Sequence, residues 1–235
     1  MAVRGVRGAR EGDPAPLRRD ARRNRDALVA AARDVFAAYG LDASLDEIAR
    51  RAGVGNATLY RHFPTRGALV DAAFHDVLAE TRRLGDEARS HDDAWQALTG
   101  YLEQVFAGLA ADRGANDLMT TGIEGVVSLE ELHAHNRETI GLLIGRAQAQ
   151  GTLRADVTTE DLLLLLAALG RTVPALTAIV PDAWRRYLAV LLDGLRARPA
   201  DAPDGGRSLP RPSLTSGQLG EVLRELGPHT APTSR

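Results

Sequence analysis

In the stretch "GVGNATLYRHF", residues 53–63, Thr58, Tyr60, Arg61 and His62 crowd hydrogen-bonding side chains into less than two helical turns. The stretch opens on two glycines that bracket a valine. Projected at about 100° per residue, Leu59 and Phe63 fall together on one side. Arg61 falls opposite them, flanked by Ala57 and Thr58, and Tyr60 and His62 take the two shoulders. A helix that enters the major groove of DNA needs this distribution. Its centre reaches base edges and its shoulders reach the phosphates of the flanking strands. Arg61 suits a bidentate contact to guanine, Thr58 suits a base or a phosphate, and Ala57 is small enough for close approach. Taken by geometry alone, an ordinary helical hairpin with a wet polar side is the alternative.

A second group of polar residues sits where apolar ones are expected. From Ser128 onward Leu129, Leu132, Ile140, Leu143 and Ala147 mark one helical face, with Asn136 in its middle and His133 near its edge. Polar groups at apolar positions are costly unless partnered. They therefore read either as groups that orient an apolar ligand in a pocket or as internal hydrogen bonds between helices. Arg171 and Thr172, just after a leucine run, invite the same two readings. Phe106 and Met119 can add apolar wall to such a pocket, although their spacing, like that of Trp95 and Trp184, is first that of a core. No enzymatic constellation is visible, whether a nucleophile elbow, a phosphate loop or an acid pair at a credible spacing. Cysteine is absent, which excludes disulfides and thiolate metal sites. His133 and His135 are two apart and diverge on a helix, so no metal site is expected, and no cofactor is implied.

These residues need helices to position them, and the patterning supplies only helices. An apolar stripe from about Arg22 runs through Leu28, Ala31, Val35 and Tyr39, and Gly40 is placed to end it in a left-handed conformation with Leu41 folding back. Ser44 and Glu47 have capping-box spacing for a second helix, with Ile48 and Ala49 inward and a stop at Gly53. "GVG" then makes a tight connection to the short helix. A fourth helix follows Pro64, with Leu69, Ala73 and Val77 as its stripe. The second half adds a stripe from Trp95 to Leu109, a short glycine-flanked helix within 112–127, and a helix opened by a Ser128–Glu131 capping box. An apolar helix capped by Thr158 or Thr159 is interrupted or ended by Pro174, and a last long helix follows Pro181. "LLLLLAAL" at 162–169 is apolar all round and demands cover on every side, from its own chain or from a second copy. No strand pattern or internal repeat appears, so the fold class is all-α.

Composition sharpens the division of labour. Residues 1–66 hold 13 arginines against 8 acidic residues, whereas 67–197 hold 11 against 19, so a formal net charge of -2 hides a basic head on an acidic body. A polyanion partner for the head alone would account for it. All 29 basic residues are arginine. No export signal is visible, and the longest apolar run is under half the roughly 20 residues needed to cross a bilayer. A cytoplasmic protein with no membrane partner is expected.

Residues 36–74, "FAAYGLDASLDEIARRAGVGNATLYRHFPTRGALVDAAF", resemble the DNA-binding domain of the TetR (AcrR-type) family of bacterial transcriptional repressors. The specific core is the pattern GV-x-x-x-T-L-Y-x-H-F. The resemblance implies a homodimeric repressor with an N-terminal three-helix helix-turn-helix domain and a larger helical body for dimerisation and effector sensing. By position, Thr58, Tyr60 and His62 match the family's backbone-contacting residues, while Asn56, Ala57 and Arg61 occupy the variable positions that set sequence preference. Arg66 stands where lysine is usual and is expected to hold a phosphate, and Ser44 matches a polar residue that reaches phosphate from the second helix. Gly67 departs from the longer side chain usual there. The expected organisation is a disordered basic arm over 1–21, the DNA-binding domain over 22–70, the effector and dimerisation domain over 71–197, and a mostly disordered Pro/Gly-rich tail over 198–235. The expected partners are a double-stranded DNA operator, a small-molecule effector and a second copy of the chain. A helical ligand-binding or adaptor protein whose head does not act on DNA is the reading from another class.

Overall fold

A computed structural model describes residues 15–120, 123, 125–197, 209–210 and 212–225. The order of helices is α1 (Ala15–Tyr39), α2 (Leu45–Arg51), α3 (Asn56–His62), α4 (Arg66–Ser90), α5 (Ala94–Ala111), α6 (Arg113–Thr120), α7 (Val127–Ala149), α8 (Thr159–Ile179), α9 (Ala183–Leu195) and α10 (Ser216–Glu225). The described residues form no strand. A single antiparallel bridge, Leu153 with Arg196, ties the α7–α8 turn to the end of α9. The architecture is all-α, as the patterning implied.

Helix α1 begins at Ala15, inside the segment expected to be a disordered arm. Pro16 is tolerated in a first turn, and the Leu, Arg and Ala residues that follow are strong helix formers. Residues 1–14 of that arm lie outside the described residues. Leu28, Ala31 and Val35 face the core as expected, but Tyr39 is 65 % exposed, because Phe36 takes the last core place and Tyr39 stands beyond it. Gly40 ends the helix at φ +81, its N–H on the Phe36 carbonyl at 2.8 Å, and Leu41 folds back into the core.

The next turns use local chemistry closely. Ser44 caps α2 by accepting the Asp46 N–H at 3.2 Å. The expected reciprocal half of a capping box is missing, since Glu47 is held instead by Arg50 at 2.6 and 2.9 Å. At the far end Gly53 N–H donates to Arg50 O and Val54 N–H to Ala49 O, the paired bonds of a Schellman motif. Gly53 sits at φ +70, a conformation that favours glycine. Ala49 is buried where α2 meets α3.

Two hydrophobic clusters organise the rest. The first joins α1, α2 and α3 to the first half of α4, to Ala115 and Leu118 of α6 and to Leu129 and Leu132 of α7. The second gathers α5, the later part of α7, α8 and α9 around Trp95, Phe106 and Trp184. Helix α4 serves both, with Leu69 to Leu78 in the first and Ala88 in the second. The expected domain boundary at residue 70 therefore falls inside a continuous helix, and head and body share a core.

Helices α4 and α7 are pinned along their length. Arg89 donates to Thr139 Oγ1 at 2.8 Å and to the His135 carbonyl at 3.0 Å, and His135 packs over Gly85. The first turn of α7 is not closed by Ser128 and Glu131 as expected. Val126 is its N-cap without a side-chain bond, and Asp71 of α4 accepts the Ser128 N–H at 3.3 Å. A carboxylate from a neighbouring helix does the capping, which no local spacing reveals.

Thr158 and Asp161 form a full capping box for α8. The helix does not end at Pro174 but runs through it to Ile179. Within the tail expected to be mostly disordered, α10 docks on the body and buries Leu219. Ser216 donates to Glu160 at 2.8 Å and accepts from Arg137 at 3.0 Å. Leu209 N–H donates to Asp156 at 2.9 Å; that bond and the stronger one from Arg154 draw the Asp156 carboxyl down to about 2. The tail is thus fastened by polar contacts at both described ends.

Helix α6 is seated closely against α1 and α4. A Cβ at Gly114 would stand 2.6 Å from the Phe74 ring and 2.9 Å from the carbonyl carbon and oxygen of Phe36. Backbone cannot yield as a side-chain tip does, so Gly114→Ala is expected to destabilise the fold by about 2 kcal/mol despite alanine's better helix propensity. Thermal unfolding should show the midpoint lower by roughly 4–8 °C. An unchanged midpoint would mean that α6 is free to shift.

Candidate nucleic-acid interface and effector cavity

The short helix α3 is held by its buried face. Leu59 is 1 % exposed, and Phe63, just past the helix, is buried beneath the Arg25 guanidinium, which lies 5.2 Å from its ring centroid. Asn56, Ala57, Tyr60 and Arg61 are exposed, and Tyr60 keeps 51 % of its surface. Thr58 and His62 are half-buried on either side. The structure therefore presents Ala57, Tyr60 and Arg61 together, opposite Leu59. His62 Nε2 is sealed from solvent and has no hydrogen-bond partner among the described residues.

Three of the residues expected to contact DNA have internal work. Asn56 Nδ2 donates to Asp46 of α2 at 2.7 Å and fixes the start of α3 against α2. Ser44 is the cap of α2. Arg66 is half-buried, and its Nη1 donates to the carbonyls of Leu41 and Ala43 at 2.6 and 2.8 Å. It braces the α1–α2 turn from below, a different task from the phosphate contact expected of it. Its sequence signal was the resemblance alone, and only the folded chain brings residue 66 to residues 41 and 43.

Behind the head, a groove of about 440 Å³ opens between α4, α5 and α6, a size suited to a small molecule. Val77, Leu84, Val105, Leu109, Leu118 and Met119 make its apolar walls; Arg33, Asp76, Glu80, Thr81 and Gln104 make a polar rim. Arg33, from α1, and Asp76, from α4, approach to 3.9 Å there, so a head helix and a body helix meet at the mouth. Ala115, Leu118 and Met119 of α6 touch the groove while Gly114 of the same helix rests on α1. Anything that fills the groove therefore lies against the helix that rests on α1.

Of the pocket residues expected from sequence, Met119 alone lines this groove. Phe106 is buried in the second core, stacked on Trp184 with centroids 6.1 Å apart. Asn136 accepts the Tyr101 hydroxyl at 2.7 Å, so its polar group answers an internal partner. Burial holds the Tyr101 hydroxyl well above its ordinary range, which keeps it a donor. His133 is exposed on α7. Arg171 is half-buried, and Thr172 faces outward with its hydroxyl on the Leu169 carbonyl. The groove residues were legible only as the apolar stripes of α4 and α5, which read as core.

Removing the guanidinium in Arg66→Ala strips two charge-assisted bonds from partly buried carbonyls, a loss of about 2 kcal/mol. The melting temperature should fall while the salt dependence of DNA binding keeps its slope, as each lost phosphate contact would lower that slope by about one. A shallower slope at unchanged stability would return Arg66 to the phosphates.

Comparison with known proteins accords with this geometry. Residues 28–73 match the model of bacterial regulatory proteins of the tetR family, and residues 93–197 match the C-terminal domain of SbtR-like transcriptional regulators. Among solved structures, a TetR transcription regulatory protein from Mycobacterium vanbaalenii is 37 % identical over 77 % of this chain and 99 % of its own, with a TM-score of 0.46. A TetR transcriptional regulator from Streptomyces coelicolor is 32 % identical over 74 % of this chain and 99 % of its own, with a TM-score of 0.49. FadR from Bacillus subtilis, solved in complex with stearoyl-CoA, is 16 % identical over 72 % of this chain and 98 % of its own, with a TM-score of 0.56, a likeness of fold. A search of curated proteins gave no match. Two family models that together span more than half of the chain, with the helix-turn-helix geometry of α2 and α3, place it in one family: the chain belongs to the TetR family of bacterial transcriptional regulators.

Proposed function

We propose that the protein is a homodimeric repressor that leaves a near-palindromic operator when a small apolar effector enters the groove between α4, α5 and α6. The observation that carries this reading is the outward face of α3. A seven-residue helix anchored by Leu59 and Phe63 exposes a guanidinium, a phenol and a small alanine side by side. Arg61 reads a base edge, and Tyr60 and Thr58 hold phosphates on the groove walls. Two such helices, related by a two-fold axis, would enter successive major grooves about one helical turn apart.

The second copy is supported by what α8 and α9 leave uncovered. Leu165, Ile179, Tyr187 and Val190 are exposed on these two helices and Val180 just past α8, with Ile179 at 82 % and Val190 at 62 %. By length and composition alone α8 is apolar enough to cross a membrane. Glu160 and Asp161 in its first turn, Arg171 and the interior Pro174 suit a four-helix contact between protomers better. The effector acts by population shift, since whatever binds the groove more tightly when α6 is displaced favours misplaced heads. The degree of release follows its differential affinity for the two states.

Fluorescence anisotropy on the DNA upstream of the chain's own gene, at two salt concentrations and with scrambled duplex as control, tests the reading. Sequence-specific binding that outlasts the control at moderate salt is expected; equal binding to both would defeat the autoregulatory form of it. Tyr60→Ala should weaken all duplexes alike. Arg61→Ala should also erase preference at one base position, a loss of about 1–3 kcal/mol of discrimination. Loss of affinity without loss of preference would mean that Arg61 faces a phosphate.

Val190→Asp places a charge in the proposed protomer contact. Light scattering should report a shift from dimer toward monomer, together with a steep loss of operator binding, because one head alone makes half of the contacts. A dimer that survives this change would move the interface off α9.

A further inference from the structure

Pro174 sits inside α8 and has no N–H to give to the carbonyl four residues earlier. That carbonyl belongs to Gly170, which is buried under α6. It is satisfied from outside the helix, because Asn116 Nδ2 donates to it at 2.9 Å. Asn116 is fully buried, and its Oδ1 has no hydrogen-bond partner among the described residues. Only the amide nitrogen can face a carbonyl, so this orientation is the one the chemistry requires. The approach is close: a Cβ on Gly170 would stand 2.9 Å from Thr120 Cγ2, and the Thr120 hydroxyl bonds back to the Asn116 carbonyl at 2.8 Å.

An apolar side chain at 116 would remove the orphaned Oδ1 but would also take away the donor that the Gly170 carbonyl has here. Apolar faces, moreover, slide along one another with little change in energy, whereas a carbonyl released by proline occurs at one level of α8 only. The amide therefore fixes where α6 lies along α8. At its start the same helix carries Gly114 against the Phe36 backbone, at the rear of the head.

We propose that Asn116 is a positioning residue for DNA reading. Through the carbonyl that Pro174 frees it registers α6 on α8, and through Gly114 α6 registers α1 and the head. This assignment rests on the DNA-binding reading above. An effector pressing on Ala115, Leu118 and Met119 would work against this one bond.

The test uses the full chain with Asn116→Ala, Pro174→Ala and the double substitution, each followed by thermal unfolding and by anisotropy on the upstream duplex and its scrambled control. Asn116→Ala strips from the Gly170 carbonyl the side-chain donor it has among the described residues, and should lower the unfolding midpoint by roughly 5 °C and the affinity for the specific duplex about tenfold, with control binding unchanged. In the Pro174→Ala background residue 174 supplies an N–H of its own. There, removing Asn116 should cost almost no stability and yet still lower specific affinity, since α6 has lost its register. This second comparison holds even if Asn116→Ala alone fails to fold. Additive stability losses would overturn the exchange of donors. A double variant that keeps the specific affinity of Pro174→Ala would reduce Asn116 to a structural role and overturn the positioning. If the wild-type chain binds the upstream duplex no better than the control, a duplex selected from random sequence replaces it. Failure to select any would sink the DNA reading and this role with it, while the unfolding comparison would still report on the bond itself.

Discussion

A helix of seven residues has no stability of its own in water, because nucleating a helix costs more than so few hydrogen bonds return. The reading surface of this protein is such a helix, so its shape is set entirely by what lies beneath it. Leu59 and Phe63 supply the hold, and they sink into a core that continues through α4 to α6 and the start of α7. Rigidity of the DNA-facing side chains is thereby borrowed from the body. The same arrangement means that a displacement in the body reaches the head without a separate linkage.

Small residues and polar groups divide the work around that core. Glycines at 40 and 53 turn the chain where positive φ is required, glycine at 114 lets two backbones approach, and glycine at 170 leaves room for the Thr120 methyl. Polar groups then fix level and angle. Arg66 clasps the carbonyls of the α1–α2 turn, Asn56 joins α3 to α2, Asp71 closes the end of α7, and Asn116 answers a carbonyl that proline released. Each is a side chain satisfying a backbone or polar group on another element, which is how buried polar groups are tolerated at all. The charge distribution suits the same plan, with excess arginine on the head and excess carboxylate on the body.

The groove behind the head shows how easily a binding surface passes for a core. Val77, Leu84, Val105 and Leu109 have the spacing of a buried stripe, and in part they are one. Their exposed remainder arises because α5 stands away from α4 there, and helix spacing is not written in either helix alone. Asn136 illustrates the reverse: a polar residue on an apolar face suggested a ligand, and the tertiary fold had Tyr101 waiting for it.

From sequence alone, the helical class, the two glycine turns, the helix-turn-helix and the outward placing of Ala57 and Arg61 could be read. Thr58, expected beside them, is half-buried, whereas Tyr60, expected on a shoulder, is exposed. The features so read follow from interactions within a few residues, where 3.6-residue periodicity and backbone sterics decide. The family resemblance was legible for the same reason, since its pattern lies within eleven residues. What tertiary structure alone decided is which polar group answers which. Pro174 read as an interruption or an end of its helix, because its lost hydrogen bond looked uncompensated; Asn116, far away in the sequence, compensates it. Arg66 read as a phosphate ligand, and the fold also sets its Nη1 on the carbonyls of residues 41 and 43. The tail read as mostly disordered chain, and Leu219 with Ser216 fasten part of it to the body. Hydrogen bonds over long sequence separations carry no periodicity, so only the folded chain reveals them.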